Sequence, residues 1–238
     1  MKLNLKNIGL VVLATLAFVS CSDDNPSNGN QVPSAAEFNN VRQTALDNLT
    51  QNFTLVAEDG VTTFTSDKGV QFSINGNCLT KNGNPVTGSV AVEYVELFDA
   101  GNMLVTDKTT MGRMPNGDMT LLVSGGEFYI NASQGGVDLD ITCPMQLLIP
   151  STLTGGADTG MTLWDGTIDE DGNLEWDEQE QNPAGQGGVF VEGTGVNAPY
   201  YAFFDSFGWT NVDRFYSDPR PRTMILAEAP NGYDFENS

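Results

Sequence analysis

Residues 89–98 read Ser-Val-Ala-Val-Glu-Tyr-Val-Glu-Leu-Phe, and residues 126–133 read Gly-Glu-Phe-Tyr-Ile-Asn-Ala-Ser. β-Branched and aromatic residues recur in both stretches, and side chains on a strand alternate between its two faces. Turn sequences such as Asn-Gly and Asp-Gly separate these stretches from similar ones nearby. The predicted strands are 53–57, 62–65, 70–74, 89–98, 126–133, 137–141 and 145–149. Strands so short and so spaced predict an antiparallel β-sandwich over residues 53–150.

A second β-rich segment is predicted over residues 161–238. Residues 150–160 are rich in Gly, Thr and Ser without a clear period, which predicts a boundary between two units. The strands predicted after it are 161–168, 173–176, 189–192, 200–205, 209–215 and 222–228. No closing element is evident after the last strand. We therefore expect that the second unit is small, or that the sequence lacks a C-terminal part.

One amphipathic helix is predicted before the strands, over residues 34–52. Ser34 and Glu37 have the spacing of a capping box, which supplies partners for the free N–H groups of a first turn. Apolar residues follow at spacings of three and four, at positions 38, 41, 45, 49 and 53. This pattern predicts about four helical turns whose apolar stripe packs against the sheets.

The N-terminus has the pattern of an export signal over residues 1–20. Lys2 and Lys6 precede an uncharged apolar run, 8–19, which is too short to span a hydrocarbon core of about 30 Å as a helix. Cys21 follows at once, and Ser, Asp, Asn, Gly and Pro fill most of 22–33. We interpret Cys21 as a lipidated first residue bearing acyl chains such as palmitate, and 21–33 as a disordered tether. The alternative is an ordinary secretory signal cut near residue 20.

Charge and composition exclude several function classes. The chain has 31 acidic and 10 basic residues, a net charge of −21, which disfavours binding of nucleic acid or of anionic lipid head groups. It has no histidine, so Ser-His-Asp and Cys-His catalysis and the usual catalytic zinc sites are absent. Glu93 and Glu96 have an odd spacing that points them to opposite faces of a strand. No catalytic residue is predicted, and basic partners or cations remain open.

Two cysteines remain after Cys21. Cys78 and Cys143 would form one disulfide in an oxidising envelope, which by chain entropy contributes about 4 kcal/mol. The alternative is two separate buried thiols that pack as small apolar side chains. The sequence leaves both open.

The acidic stretch 167–178, Thr-Ile-Asp-Glu-Asp-Gly-Asn-Leu-Glu-Trp-Asp-Glu, partly matches a calcium-binding loop. In this interpretation Asp169, Asp171, Glu175 and Glu178 would be calcium ligands, although Thr167 replaces the first aspartate. The flanks alternate as strands do. We therefore favour a hairpin that turns at Gly172 and leaves the carboxylates in water, while Ca²⁺ is the one cofactor that the sequence suggests.

Six aromatic residues lie within residues 200–209, which read Tyr-Tyr-Ala-Phe-Phe-Asp-Ser-Phe-Gly-Trp. Apolar residues on both alternating faces of 200–204 favour a strand buried in the core. The alternative is an exposed aromatic platform for a glycan. Trp209, beside a glycine and ahead of polar residues, is the best candidate for an exposed ring.

The stretches 69–74, 82–104, 122–132 and 208–215 resemble a recurrent module of Bacteroidetes surface lipoproteins. The start Cys21-Ser-Asp-Asp is similar to the acidic signal that sends such lipoproteins to the outer face of the outer membrane. The resemblance implies an Ig-like or ZU5-like β-sandwich, akin to carboxypeptidase-regulatory-like modules, with a structural or adhesive role and no catalytic residues. We therefore predict a lipid-anchored surface protein that binds a protein or glycan. The alternative is a glycan-capture protein or a carboxylate-driven glycoside hydrolase.

Overall fold

The computed structural model describes residues 34–169, 172–179, 188–193, 195 and 197–217, and it confirms a mainly β fold. Two α-helices are present in this part, α1 (Ala35–Leu49) and α2 (Ala100–Val105). The strands are β1 (Gln51–Val56), β2 (Val61–Thr65), β3 (Gln71–Asn75), β4 (Leu79–Lys81), β5 (Asn84–Pro85), β6 (Ser89–Leu97), β7 (Met111–Arg113), β8 (Met119–Gln134), β9 (Val137–Asp138), β10 (Asp140–Ile141), β11 (Met145–Ile149), β12 (Thr162–Ile168), β13 (Leu174–Glu178), β14 (Gly188–Val191), β15 (Tyr200–Phe204) and β16 (Gly208–Phe215). Three short 3₁₀ turns also occur, at Ala57–Asp59, Gly76–Cys78 and Ser151–Thr154.

Most of the predicted strands correspond to observed ones. The prediction at 137–141 differs, because the chain changes sheets at Leu139: β9 pairs with β8, whereas β10 pairs with β4. Strand β8 begins at Met119, seven residues before the predicted start, and it continues through Gly125 and Gly126. The helix α2 and the strands β4, β5 and β7 were not predicted. The predicted strand 222–228 lies outside the described residues, as do the predicted signal 1–20 and the predicted tether 21–33.

The strands form three sheets. The largest has eight strands in the order β1-β6-β8-β16-β12-β13-β7, with β9 added beside β8. Strand β7 also pairs with β8, so that β8, β16, β12, β13 and β7 form a closed ring. The second sheet has the order β14-β15-β11-β3-β2, and a small third sheet has the order β10-β4-β5. A five-strand ring inside the largest sheet was not expected from the sequence, because its parallel contact between β7 and β13 is long-range.

The predicted boundary at 150–160 does not separate two units. Strand β16 pairs with β8 over Gly208 to Phe215, and β15 pairs with all of β11. Strands from both predicted segments are thus neighbours in the same two sheets. Residues 150–160 carry the chain from β11 in the five-stranded sheet to β12 in the eight-stranded one, which explains why they lack a strand period. The division into 53–150 and 161–238 was therefore wrong as a division of the fold.

One apolar core joins the two large sheets. Strand β8 contributes Phe128, Ile130 and Ala132 to it, and the rings of Phe72 on β3 and Tyr94 on β6 stack at 4.5 Å between the sheets. The remaining buried members of this core are Leu55, Ala57, Val70, Ile74, Leu79, Val86, Val90, Val92, Leu139, Met145, Leu147, Ile149, Met161, Leu163, Tyr200, Ala202, Phe204 and Val212. Burial of apolar surface on this scale is the main source of stability.

A second apolar cluster, here called the outer cluster, lies on the opposite face of the eight-stranded sheet. Its buried members are Val95, Leu97, Met103, Leu122, Leu174, Trp164, Trp176 and Trp209. Gly112 on β7 has no room for a side chain, because a Cβ there would lie 2.7 Å from Leu122 and 2.8 Å from Trp164. Leu46 and Leu49 of α1 cover part of the cluster.

The helix α1 agrees with the predicted capping box. The Ser34 hydroxyl accepts from the Glu37 N–H at 3.3 Å, and the Glu37 carboxylate accepts from the Ser34 N–H at 2.7 Å. The predicted apolar stripe is wrong for the first half of the helix, since Phe38 is 44% and Val41 56% exposed. Only Thr50 separates α1 from β1, so the last turns lie against the sheet and the first turns do not.

Cys78 and Cys143 form a disulfide with a Cα–Cα distance of 5.7 Å. The bridge joins the Gly76–Cys78 turn, which follows β3, to the residues just before β11. Of the two alternatives that the sequence left open, the structure has the bridge.

Removal of this disulfide is expected to destabilise the protein. The bridge spans 65 residues of sequence, and the chain-entropy model gives about 4 kcal/mol for a loop of that size. The double variant Cys78→Ala/Cys143→Ala should unfold at a lower denaturant concentration than the wild type. A reductant should shift the wild type in the same direction and leave the double variant unchanged. A wild-type transition that does not respond to reductant would contradict the prediction.

Candidate functional site

The main surface feature is a groove between the last turns of α1 and the outer face of the eight-stranded sheet, here called the α1 groove. Its volume is about 540 Å³. The residues that line it are Gln43, Leu46, Asp47, Thr50, Asn52, Glu93, Val95, Tyr129, Ile168 and Trp209. Five of these ten residues are polar or charged, and the volume falls within the range of about 300 to 1,000 Å³ that is usual for ligand-binding sites.

The position of α1 makes one wall of the groove. Thr50 ends the helix by donating its hydroxyl to the Leu46 carbonyl at 2.9 Å, and the chain then enters β1. Arg42 on α1 forms an ion pair with Asp107, just after α2, at 3.2 Å. Leu46 packs on the outer cluster. The helix is thus attached to the sheet at its C-terminal end, beside the groove.

Three neighbouring strands form the floor of the groove. Trp209 on β16, Tyr129 on β8 and Val95 on β6 are register partners, so their side chains lie side by side on one face. The rings of Trp209 and Tyr129 are 5.3 Å apart. Gly166 lies opposite Trp209 on β12, where a Cβ would be 2.6 Å from the Trp209 Cβ. Glycine at this position therefore leaves room for the Trp209 and Trp176 side chains.

The prediction that Trp209 is an exposed ring is wrong. Trp209 is only 8% exposed, because Tyr129 and the outer cluster surround it. The Lys108 ammonium lies 5.6 Å from the centre of the indole ring, a cation–π distance. What Trp209 offers to a ligand is therefore a small part of the groove floor.

The strand β15 is buried on one face only. Tyr200, Ala202 and Phe204 belong to the core between the sheets, whereas Tyr201 and Phe203 are half-buried on the opposite face. The Phe203 ring lies 6.2 Å from that of Phe190 on β14. The prediction that 200–204 is a buried strand therefore holds for Tyr200, Ala202 and Phe204 only, because the sheet is covered on one side here.

A cluster of buried polar side chains lies on the same sheet face as the floor. Glu127, Asn211 and Asp213 are fully buried, and Lys108 is 7% exposed. Asp213 accepts from the Asn211 amide at 2.7 Å and from the Gly125 N–H at 3.1 Å. Both carboxyl oxygens of Glu127 and the amide oxygen of Asn211 have no hydrogen-bond partner within the described residues. This set, the buried acid cluster, is the most polar part of the interior.

The environment of these acids changes their protonation. Burial and then the Asp213 charge raise the pKa of Glu127 to about 9, against the opposing effect of Lys108. Burial also raises the pKa of Asp213 to about 7, although three groups donate to it. Glu127 and Asn211 are cross-strand neighbours, and a protonated carboxyl group has an O–H donor that a carboxylate lacks. Protonation thus gives Glu127 a donor of its own, whereas the amide N–H of Asn211 already donates to Asp213.

The acidic stretch 167–178 forms a hairpin, which was the favoured interpretation. Strands β12 and β13 pair antiparallel, with Trp164 opposite Glu178 at one end and Ile168 opposite Leu174 at the other. Gly172 in the turn between them has a φ of +89°. Asp169 accepts from the Asn173 N–H at 2.8 Å within the turn. Hairpin geometry separates the proposed calcium ligands. Leu174 begins β13 next to the turn, and Glu178 lies about 13 Å farther along the strand, away from the turn.

The carboxylates of this hairpin have other contacts. Arg113 forms ion pairs with Glu175 and with Asp177, the latter at 3.1 Å. Asp171 lies outside the described residues. In the part of the chain that the structure describes, no group of three or more His, Cys, Asp or Glu side chains is arranged to hold a metal ion. Calcium binding by Asp169, Asp171, Glu175 and Glu178 stays a prediction.

Glu93 and Glu96 lie on opposite faces of β6, as their spacing predicted. Glu93 is exposed and lines the groove, whereas Glu96 is buried at the edge of the main core. Glu96 accepts from the Ser66 hydroxyl at 2.7 Å, the Tyr94 hydroxyl at 3.1 Å and the Lys68 N–H at 3.0 Å. With its oxygens so engaged, Glu96 stabilises the loop between β2 and β3.

The sequence did not identify Tyr129, Lys108, Glu127 or Asp213 as site residues. Glu127 and Tyr129 fall within the predicted strand 126–133, but strand alternation does not tell which segment covers the face that they share. Lys108, which acts on the charge of the buried Glu127, follows the six-residue helix α2, and so short a helix shows no period in the sequence. The sequence feature that could have indicated α2 is Asp99, a residue type that favours the N-cap of a helix. Asp99 caps α2 by accepting from the Asn102 N–H at 2.9 Å.

Among the described residues, no helix is both long enough and apolar enough to cross a membrane. A scan against protein-family models found no match for this chain, and a search of curated proteins found no similar one.

The stability of the protein is expected to fall as the pH rises from about 5.5 to about 8.5. The folded-state pKa values of Glu127 and Asp213 exceed their ordinary values, so their contribution is complete below about pH 4 and is lost as the pH rises through about 7 and about 9. While the pH lies between the unfolded-state and folded-state pKa values of a group, the free energy of unfolding falls by about 1.4 kcal/mol per pH unit. We therefore expect the free energy of unfolding to fall by more than about 2 kcal/mol in total.

Denaturant unfolding at both pH values measures this loss. The variant Glu127→Gln should lose most of the pH dependence, because the amide stays neutral. The control Asp140→Asn removes an exposed carboxylate on β10 and should keep the wild-type slope. Equal stability of the wild type at both pH values, or an unchanged slope in Glu127→Gln, would show that these acids are not protonated in the folded state.

Proposed function

We propose that this chain is a lipoprotein of the outer membrane surface whose β-rich part binds a ligand in the α1 groove and catalyses no reaction. One contrast carries the proposal. The groove presents exposed polar side chains beside an aromatic floor, while the two strongly perturbed carboxyl groups, Glu127 and Asp213, are fully buried. A ligand can reach the first set and not the second.

The cellular address rests on the N-terminal sequence. A basic start, an apolar run of 8–19 and Cys21 are the parts of a lipoprotein signal, and two or more acyl chains anchor such a protein stably. The acidic residues after Cys21 support the outer face of the outer membrane. The net charge of −21 disfavours nucleic acid as a partner and leaves the lipid as the proposed link to the membrane.

The assignment to an Ig-like or ZU5-like β-sandwich family is also a proposal. Two observations support it: the two large sheets share one core, and the resembling stretches 82–104 and 122–132 include most of β6 and of β8. Modules of that kind are structural or adhesive, in keeping with a binding role.

Glycan capture is the second candidate function. The observation in its favour is that Tyr129, Asn52, Gln43 and Glu93 line one groove, since rings and amides are the groups that contact sugars. A glycoside hydrolase would in addition need two carboxyl groups about 5 to 9.5 Å apart at the bound sugar. Loss of turnover on changing either carboxyl to its amide would identify a hydrolase, whereas a binding module has no turnover to lose.

Lipidation at Cys21 predicts the location of the protein. In a bacterial host that processes lipoproteins, the wild type should be found in the membrane fraction, and its intact mass should include acyl chains. The variant Cys21→Ala should lack that mass, and the control Ser22→Ala should behave as the wild type. An unacylated wild type, or membrane retention of Cys21→Ala equal to that of the wild type, would contradict the lipid anchor.

Filling the groove is expected to abolish binding. Asn52 is exposed on β1 and lines the groove, so Asn52→Trp should place an indole in it without disturbing the core. Thr54→Trp is a matched control, because Thr54 is exposed on the same face of the same strand and outside the lining. Glycan and peptide arrays probed with the full chain should give signals that Asn52→Trp loses and Thr54→Trp keeps. Signals equal in both variants would place binding elsewhere.

A further inference from the structure

The charges around the α1 groove have one sign. Asp47 on α1 and Glu93 on β6 face it from two walls, and none of the lining residues that the structure describes is a lysine or an arginine. Asp138, which is hydrogen-bonded to Asn131, lies near enough to Tyr129 to act on it together with Glu93. The net charge of the whole chain, −21, has the same sign as these groove residues. The potential in the groove is therefore negative, which attracts cations.

The nearest basic side chains do not neutralise the groove. Arg42 is on the neighbouring side of α1, where it pairs with Asp107 at 3.2 Å. Lys108 lies 5.6 Å from the centre of the Trp209 ring and lines, with Arg42, a neighbouring cavity, where the Asp107 charge also acts on it. Glu93 has no ion-pair partner within the described residues. Its carboxylate is exposed and available to a ligand.

The apolar part of the groove suits a chain of methylene groups better than a sugar ring. Ile168 is 49% exposed, and Leu46 lies on the helix wall. Stacking of a sugar needs an open aromatic face, and Trp209, at 8% exposed, offers little of one. Lysine and arginine side chains lay an aliphatic stem along apolar surface and keep the charged head in a polar place.

We propose that the α1 groove binds a lysine or arginine side chain presented by a partner protein. The cationic head lies between Asp47 and Glu93, and the stem contacts Leu46 and Ile168. This inference rests on the proposed function, in which the groove is the binding site of the chain, and it names the chemistry of the ligand.

Binding of short peptides to the full chain in a neutral detergent tests this inference. The probes are Ac-Ala-Ala-Lys-Ala-Ala-NH₂, the same peptide with arginine, and the same peptide with glutamine, measured by isothermal titration. The lysine and arginine peptides should bind about tenfold more tightly than the glutamine peptide. Raising NaCl from about 50 mM to about 500 mM should weaken the first two and leave the third unchanged.

Matched variants locate the charge effect. Asp47→Asn/Glu93→Gln should weaken binding of the basic peptides by about tenfold. The control Asp67→Asn/Asp140→Asn removes two exposed carboxylates that do not line the groove, and it should bind as the wild type does. Equal loss in both double variants would mean that only the overall charge attracts the peptides, which overturns the inference.

The remaining outcomes separate this inference from the proposed function. Chitotriose, which carries amino groups, and its neutral N-acetylated form are tested alongside the peptides. If either sugar binds more tightly than the basic peptides and Asn52→Trp abolishes that binding, the groove is a binding site for a glycan and the inference is overturned while the proposed function stands. If no probe shows binding that Asn52→Trp abolishes, both are overturned.

Discussion

Burial of both faces of strand β8 is the constraint on which the rest of the structure depends. Phe128, Ile130 and Ala132 on one face belong to the core between the two large sheets, while on the other face Tyr129 packs against the outer cluster and Glu127 is fully buried. Strand β8 also pairs with β6, β16, β7 and β9. A shift of its register by one residue would exchange the two faces and place Glu127 in the apolar core. The long strand thus determines the core and the candidate site together.

The two polar features on that second face differ in their access to solvent, and this difference separates their roles. The buried acid cluster is closed to solvent, and burial there favours the neutral form of the Glu127 carboxyl group. The α1 groove lies beside it, and there Asp47 and Glu93 are exposed to solvent. Trp209 connects the two, since Lys108 lies over its ring and its remaining surface faces the groove. The cluster therefore supports the floor, and the groove provides the contact with a ligand.

The proposed role joins these features to the N-terminal signal. A lipid at Cys21 would hold the domain at the membrane, and an acidic surface would repel phosphate-bearing partners while attracting basic ones. The tether 21–33 would leave the groove free to meet a partner in any orientation. The proposed role thus depends on acylation of Cys21, on the negative charge of the surface and on the shape of the groove.

Local pattern in the sequence was enough to predict the mainly β fold, most strand positions, the capping box at Ser34 and Glu37, and the turn at Gly172. All of these depend on residues close together in the chain, where period and turn chemistry act directly. The sequence alone left the pairing of Cys78 with Cys143 open, and it predicted the exposure of Trp209 and the boundary at 150–160 incorrectly. Tertiary structure decided these points, together with the five-strand ring, the burial of Glu127 and the α1 groove. The physical reason is that each depends on which distant segments cover a given strand face, and no local period encodes that choice.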